Sequence, residues 1–152
     1  MTLAVRPPVA AKHVAYDAFL RAKAKVAPQA GFDVPPERIN PLLKPMTRAI
    51  VQWACKGGRR ALFLRFGWHK TSTQLEITRQ VLIEHGGYGL IVVPLGVRHE
   101  FFLEVEKRHP DIELRFVNRP EQMGAANPAG AGKKLIHLTN YETIRDGKLD
   151  PM

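Results

Sequence analysis

The sequence predicts an α/β domain with a mostly parallel sheet and flanking helices. Short apolar runs alternate with stretches of helical period, as where residues 88–93 are followed by 98–108. Strands that alternate with helices in this way form βαβ units, whose sheets are parallel. With 152 residues, 45% of them hydrophobic, the chain can build one core but not two large ones.

A basic extension is predicted ahead of this domain. Residues 10–27 have a helical pattern that ends at Pro28, and four prolines within 29–45 favour an extended connection. Residues 1–60 carry 11 Lys/Arg and 3 Asp/Glu, whereas residues 61–152 carry 12 and 11. This bias indicates contact with a polyanion, although a solvated basic face explains the same charges. We divide the chain into a helical, Pro-rich extension (1–38) and a domain (39–152).

The remaining elements follow from periodicity and turn residues. A helix near 45–56 is expected to bury one face, with Trp53 in the core rather than serving as a stacking platform for bases. Strands are predicted at 61–66, 88–93, 112–116 and 135–139, and helices at 72–85, 98–108 and, briefly, 140–146. The carboxyl ends of parallel strands share one edge, so the loops that follow them should lie together.

The stretch FGWHKT at residues 66–71 joins the first predicted strand to the next helix. A glycine turn that ends in Lys-Thr is typical of a phosphate-binding loop, in which backbone amides and the positive helix end meet phosphate oxygens. His69 stands where that motif has its second glycine, and its side chain should crowd a phosphate and resist a positive φ. An ordinary helix start remains the alternative interpretation.

The sequence argues against several other classes of site. Six histidines are scattered without metal-ligand spacing, and the single cysteine, Cys55, is expected to be a buried thiol rather than a nucleophile. No apolar run approaches the ~18 to 20 residues of a membrane span. Since the N-terminus also has no pattern of a signal peptide, we expect a cytoplasmic protein without a membrane partner.

Four segments, taken in order, resemble the first RecA-like domain of superfamily 2 helicases, close to the Snf2-type branch and to phage DEAD/DEAH-like helicases. They are residues 39–54, FGWHKT at 66–71, LIVVPLGV at 90–97 and LTNYE at 138–142. The resemblance covers roughly residues 36–151, and four ordered segments are more specific than any one of them.

The resemblance implies a partial RecA-like, P-loop NTPase domain with ATP and magnesium as cofactors and nucleic acid, taken to be DNA, as partner. It implies that Lys70 meets the β- and γ-phosphates and that Thr71 binds magnesium. The implied nucleotide contacts are Arg48, Gly67, His69, Lys70 and Thr71, and the implied nucleic-acid contacts are Pro94, Leu95, Gly96, Thr139 and Asn140.

The chain also departs from the family pattern. Thr47 stands where the family has a glutamine before Arg48, and His69 replaces a glycine. In the family, the acidic Walker B motif would follow residue 150 and the second RecA-like lobe would come later, so neither lies within the 152 residues. We therefore expect no catalytic residue and no autonomous helicase or hydrolase activity. The expected function is that of a helicase-derived fragment that binds ATP weakly and DNA. Two alternatives stay open: a nucleic-acid-binding or partner-docking module without nucleotide, and half of a split helicase with a separately encoded C-terminal part.

Overall fold

The computed structural model describes Tyr16, Ala18, Phe19 and residues 29–123 and 132–149. The strands are β1 (Gly89–Val93), β2 (Ile112–Phe116) and β3 (Lys134–Asn140), and the helices are α1 (Pro45–Gly57), α2 (Lys70–His85), α3 (Arg98–Arg108) and α4 (Tyr141–Arg145). Single 3-10 turns lie at Pro36–Arg38, Leu95–Val97 and Pro120–Gln122. The three described residues of the predicted helix 10–27 are helical, and the rest of that helix lies outside the described residues. Within these ranges, no helix has both the length and the apolar character needed to cross a bilayer.

The three strands form one parallel sheet in the order β1-β3-β2. β1 pairs with β3 from Gly89 opposite Ile136 to Val93 opposite Asn140. β2 pairs with β3 from Ile112 opposite Lys134 to Phe116 opposite Leu138. Because β3 is central, six of its seven residues are buried. The predicted α/β class with a parallel sheet and flanking helices is confirmed, and all three carboxyl ends open onto one edge.

The main core lies between this sheet and helices α2 and α3. Leu75 and Leu82 of α2 and Phe101 of α3 are buried there. They pack against apolar strand residues, namely Ile91, Val93, Ile112, Ile136 and Leu138. Burial of such side chains stabilises a domain by roughly 1.5–3 kcal/mol each, so this cluster holds the edge loops in place.

The predicted strand at 61–66 is wrong. Residues 61–65 belong to no strand among the residues that the structure describes, and a turn begins at Phe66. Their side chains alternate, with Leu62 and Leu64 half-buried and Ala61, Phe63 and Arg65 exposed. An apolar run becomes a strand only where a neighbour supplies backbone hydrogen bonds, and β1 is the edge of the observed sheet.

Helix α1 does not bury the face that contains Trp53. Val51, Ala54 and Cys55 are buried, whereas Met46 and Trp53 are exposed, so the expectation that Trp53 belongs to the core is wrong. Burial also raises the pKa of the Cys55 thiol to about 11, which keeps it protonated at neutral pH and agrees with the expected inert thiol.

The described part of the predicted extension packs on α1. The amides of Ala30 and Phe32 donate to the carbonyls of Gly57 and Cys55, at 3.3 and 3.0 Å. A second apolar cluster continues this contact and consists of Val34, Ile39, Leu43, Val51 and Cys55. The boundary between residues 38 and 39 stays a prediction, and it falls inside this packed segment.

A buried polar network fixes the Pro-rich segment to α2. Glu76 Oε1 accepts hydrogen bonds from Gln80 Nε2 at 2.7 Å, from the Asn40 amide at 3.2 Å and from Arg79 at 3.2 Å. Asn40 in turn donates through Nδ2 to the carbonyl oxygen of Arg108. One carboxylate therefore connects the segment before α1 to α2 and, through Asn40, to the end of α3.

Burial shifts the titration of this network. Glu76 and His109 are fully buried, with Glu76 Oε2 at 3.5 Å from His109 Nδ1. Removal from water raises the pKa of Glu76, although Gln80, Arg79 and the Asn40 amide favour its charged form. Removal from water also lowers the pKa of His109. Both groups are thus shifted toward their neutral forms, which a buried site with little solvent favours.

His137 makes the stability of the fold depend on pH. It is fully buried at the centre of β3, against the edge of the Tyr88 ring, and neither ring nitrogen has a hydrogen-bond partner among the described residues. Burial, with a smaller effect of Arg115, lowers the pKa of His137 below its ordinary value. Between about 6.5, the value for an exposed histidine, and the lower folded pKa, the unfolded chain binds more protons, so stability falls as the pH decreases.

We expect the free energy of unfolding in urea to decrease from pH 7 to pH 5.5. It should decrease less for His137→Leu, which has no proton to bind at this position. Glu76 and His109 are common to both proteins, so their contributions cancel in the difference. An equal decrease in both proteins would show that His137 does not contribute.

Candidate phosphate-binding site

The candidate site is the turn between residue 64 and the start of α2. Gly67 has a φ of 79°, and His69 has a φ of 48° and a ψ of 44°. His69 is the single non-glycine residue with a positive φ in the described ranges. The expectation that histidine resists this conformation is therefore wrong for this turn, and histidine is one of the residue types that enter the left-handed region more often than most. The turn thus has the positive φ that a second glycine would adopt, but it also carries the imidazole side chain of His69.

Lys70 is the first residue of α2 and folds back over the turn. Its Nζ donates to the carbonyl oxygens of Leu64 at 2.9 Å and of Arg65 at 3.0 Å. These bonds close the loop around the ammonium group. The charge is thus held at the mouth of the turn, where an incoming anion would meet it.

The N-terminus of α2 lies at the same turn. The amide and the hydroxyl of Thr73 both bind the carbonyl oxygen of His69, at 2.9 and 2.8 Å. The amides of Lys70, Thr71 and Ser72 belong to the first turn, in which a helix has no internal acceptors. Within the described residues, the side chain of His69 does not cap them. The positive end of the helix dipole adds to the charge of Lys70.

A cleft of about 740 Å³ lies against this turn. It is lined by four predicted nucleotide-contacting residues, Gly67, His69, Lys70 and Thr71, and by Pro94, which was predicted to contact nucleic acid. Phe66 and Tyr141 also line it. The sequence pattern does not single out Tyr141, which becomes a candidate only because α4 starts directly after the buried strand β3.

The acidic groups of this cleft are Glu100 and Glu104 of α3. Glu104 accepts from the Ser72 hydroxyl and forms an ion pair with Arg108, so its charge is largely compensated. Glu100 is exposed. The described residues contain no group of three His, Cys, Asp or Glu side chains that could hold a metal ion. Thr71, to which the resemblance assigns magnesium, lines the cleft beside Lys70.

Arg48 lies elsewhere. Its guanidinium donates to the carbonyl oxygen of Pro36 at 2.8 Å and lines a separate hollow of about 240 Å³ on α1. The structure thus brings four of the five predicted nucleotide residues into one cleft and leaves Arg48 outside it.

A second cleft, of about 670 Å³, opens at the same edge of the sheet. Leu95 and Asn140 line it, and Gly96 is exposed in the 3-10 turn beside Leu95. The Oδ1 atom of Asn140 accepts from the Thr143 amide at 2.8 Å and caps α4. Thr139 is fully buried. Of the five predicted nucleic-acid residues, Pro94, Leu95 and Gly96 are exposed, whereas Thr139 and Asn140 have structural positions.

Three basic residues of the second cleft are not singled out by the sequence motifs. They are Arg98, Arg119 and Lys148. The guanidinium of Arg98 lies 4.6 Å from the centre of the Phe116 ring, which holds it at the cleft wall. Glu121 and Glu142 also line this cleft and offset part of the charge. The sequence could have indicated two of these residues by their position, because Arg98 follows shortly after strand β1 and Arg119 shortly after strand β2.

Comparison of the chain with models of protein families, with curated proteins and with solved structures found no match.

Proposed function

We propose that this chain is a helicase-derived RecA-like domain that binds ATP weakly through a degenerate phosphate loop and also binds DNA, without unwinding it alone. The observation that carries the proposal is the convergence at one turn. The ammonium of Lys70, the left-handed backbone at Gly67 and His69, and the first amides of α2 meet at the carboxyl edge of a parallel sheet. Phosphate groups bind at such places because amides, helix dipole and cation act together.

In this proposal each residue has a definite role. Lys70 exchanges its bonds to the Leu64 and Arg65 carbonyls for phosphate oxygens, and Thr71 offers its hydroxyl to the magnesium ion that ATP carries. Tyr141 and Phe66, both exposed, are available beside the phosphates. The proposal is limited to binding, because hydrolysis needs a positioned water and charge stabilisation beyond a single loop.

A second candidate function is nucleic-acid binding or partner docking without nucleotide, and half of a split helicase stays a separate alternative. The second cleft favours it, because Arg98, Arg119 and Lys148 stand together beside Leu95. Cations arranged along a cleft suit a phosphate backbone, which is recognised by charge irrespective of sequence.

Replacing His69 by glycine distinguishes the two functions. We expect His69→Gly to bind a fluorescent ATP analogue with magnesium roughly tenfold more tightly than wild type, equivalent to about 1.4 kcal/mol. The physical reason is that glycine keeps the positive φ and removes both the imidazole and the β-carbon from the phosphate side of the turn. His69→Ala is the matched variant, because it removes the ring and keeps the β-carbon.

An unchanged affinity in His69→Gly, with a folded protein by circular dichroism, would favour the function without nucleotide. Tighter binding in both variants would identify the imidazole as the obstacle, whereas tighter binding in His69→Gly alone would identify the β-carbon.

A further inference from the structure

Residues 38–75 carry positively charged side chains and no negatively charged ones. They contain eight Lys or Arg and no Asp or Glu. Such a stretch on a folded surface creates a positive potential that attracts polyanions. The same stretch contains four exposed aromatic side chains, Trp53, Phe63, Phe66 and Trp68.

Two of these aromatic residues, Trp53 and Phe63, do not line the phosphate cleft, and each has arginines nearby, Trp53 in contact and Phe63 in sequence. Trp53 on α1 is 53% exposed, and the guanidinium carbon of Arg60 lies 5.3 Å from the centre of its ring. Phe63 is 95% exposed, and Arg65, two residues later in the chain, is exposed as well. Arg59 is exposed shortly before Phe63 in the chain. We call Trp53, Arg59, Arg60, Phe63 and Arg65 the basic aromatic surface.

We propose that the basic aromatic surface binds single-stranded nucleic acid, with bases stacked on Trp53 and Phe63 and phosphates held by the arginines. This proposal deepens the nucleic-acid part of the proposed function and rests on it. Aromatic rings interleaved with cations are the usual means by which proteins hold a single strand without reading its sequence.

The geometry favours an unpaired strand over a duplex. Bases stack on a protein ring only when they are free of their partners, and an almost fully exposed phenylalanine offers its whole face. The Arg60 guanidinium lies over the Trp53 ring, which is 53% exposed, so a base that stacks on this tryptophan would have a cation beside it. Lys56 contributes less, because it pairs with Asp33 at 2.8 Å.

Charge also favours nucleic acid over a protein partner. A protein strand could cover an apolar segment such as 61–66, and the exposed phenylalanine would serve that purpose as well. Arg38 and Lys56 pair with Glu84 and Asp33, which lie outside this stretch of sequence. The other six cations of the stretch form no ion pair among the described residues, and this excess of positive charge matches a series of phosphates better than a mixed protein surface.

The test is the binding of a fluorescently labelled twenty-nucleotide oligo-dT, measured by anisotropy at low salt. We expect Phe63→Ala to weaken binding roughly tenfold, since stacking is worth about that much or more for each base. Phe102→Ala is the matched control, because Phe102 is also exposed but lies on α3, and its affinity should equal that of wild type. In a Trp68→Phe background Trp53 is the single tryptophan, and oligo-dT should quench its fluorescence.

The arginines are tested through salt dependence. The double variant Arg59→Ala with Arg65→Ala should lower the slope of log K against log salt by roughly 0.7 for each phosphate that the protein no longer neutralises. An unchanged slope would contradict the role of these arginines.

Three results would overturn the proposal. If wild type binds oligo-dT and Phe63→Ala binds it equally, nucleic acid binds elsewhere, and the proposed function survives without this surface. If wild type does not bind oligo-dT, the nucleic-acid part of the proposed function fails too, while ATP binding is judged separately by titration. If Phe63→Ala changes only the sedimentation coefficient, the surface joins protein chains instead.

Discussion

Replacing Glu76 by alanine is expected to lower the free energy of unfolding by about 3 kcal/mol. The carboxylate is fully buried and accepts hydrogen bonds from Gln80, Arg79 and the backbone amide of Asn40. Its removal leaves the Asn40 amide without an acceptor, and an unpaired donor of this kind costs about 1–3 kcal/mol. Gln80 and Arg79 lose a charged acceptor but keep the carbonyl oxygen of Arg38, at 3.1 and 3.3 Å. The Pro-rich segment should loosen first, because Asn40 loses its link to α2. Urea unfolding monitored by circular dichroism measures the loss.

Glu84→Ala is the matched control for this change. Glu84 lies two turns later on the same helix, and its ion pair with Arg38, at 2.9 Å, is partly exposed. Pairs of this kind contribute about 0–1 kcal/mol. If Glu76→Ala cost no more than Glu84→Ala, the buried network would not hold the segment before α1 in place.

Replacing Lys70 by alanine is expected to weaken binding of magnesium-ATP tenfold to a hundredfold. A hydrogen bond to a charged group contributes about 1.5–3 kcal/mol, and Lys70 is the one ammonium that lines the phosphate cleft in the described part of the chain. The variant also loses the bonds to the Leu64 and Arg65 carbonyls, so its fold is checked by urea unfolding. Isothermal titration calorimetry measures the affinity.

The matched control here is Lys107→Ala. Lys107 is an exposed lysine on α3 that does not line the phosphate cleft. It should bind ATP as wild type does. Equal affinity of Lys70→Ala and wild type would mean that the ammonium does not touch the phosphates.

The parallel sheet is predictable from the sequence because its signals are local. A continuous apolar run that ends at Pro94 marks β1, and residues 135–138, interrupted only by His137, mark β3. The helix between these strands, at 98–108, has helical periodicity. The failure at residues 61–66 has a different origin. Whether an extended segment joins a sheet depends on a neighbouring strand, and that information is not contained in the segment.

The error at Trp53 is also instructive. On α1 the face 46, 49, 50, 53 and 54 and the face 51, 54 and 55 are both apolar enough to be buried. The packing of the Pro-rich segment decides between them, because Phe32 and Val34 bind next to Cys55 and Gln52. The pattern of apolar residues within one helix does not show which other segment of the chain packs against it.

The candidate site is partly predictable for a similar reason. Pro94 lies at this edge because it follows strand β1, as expected. Gly67, His69, Lys70 and Thr71 reach the same cleft without a strand before them, because α2 packs against the sheet and starts at this edge. Arg48 is separated from them because its position depends on how α1 packs. Likewise, Thr139 is buried by its place in the central strand, which outweighs the motif it belongs to.

Amide chemical shifts of the ¹⁵N-labelled protein during titration with magnesium-ATP test phosphate binding at this turn most directly. We expect the largest changes at the amides of Gly67, Lys70, Thr71 and Ser72, where the turn and the first residues of α2 face the cleft. If these four amides stay unchanged at saturating ATP, or if shifts occur only elsewhere, phosphate does not bind at this turn.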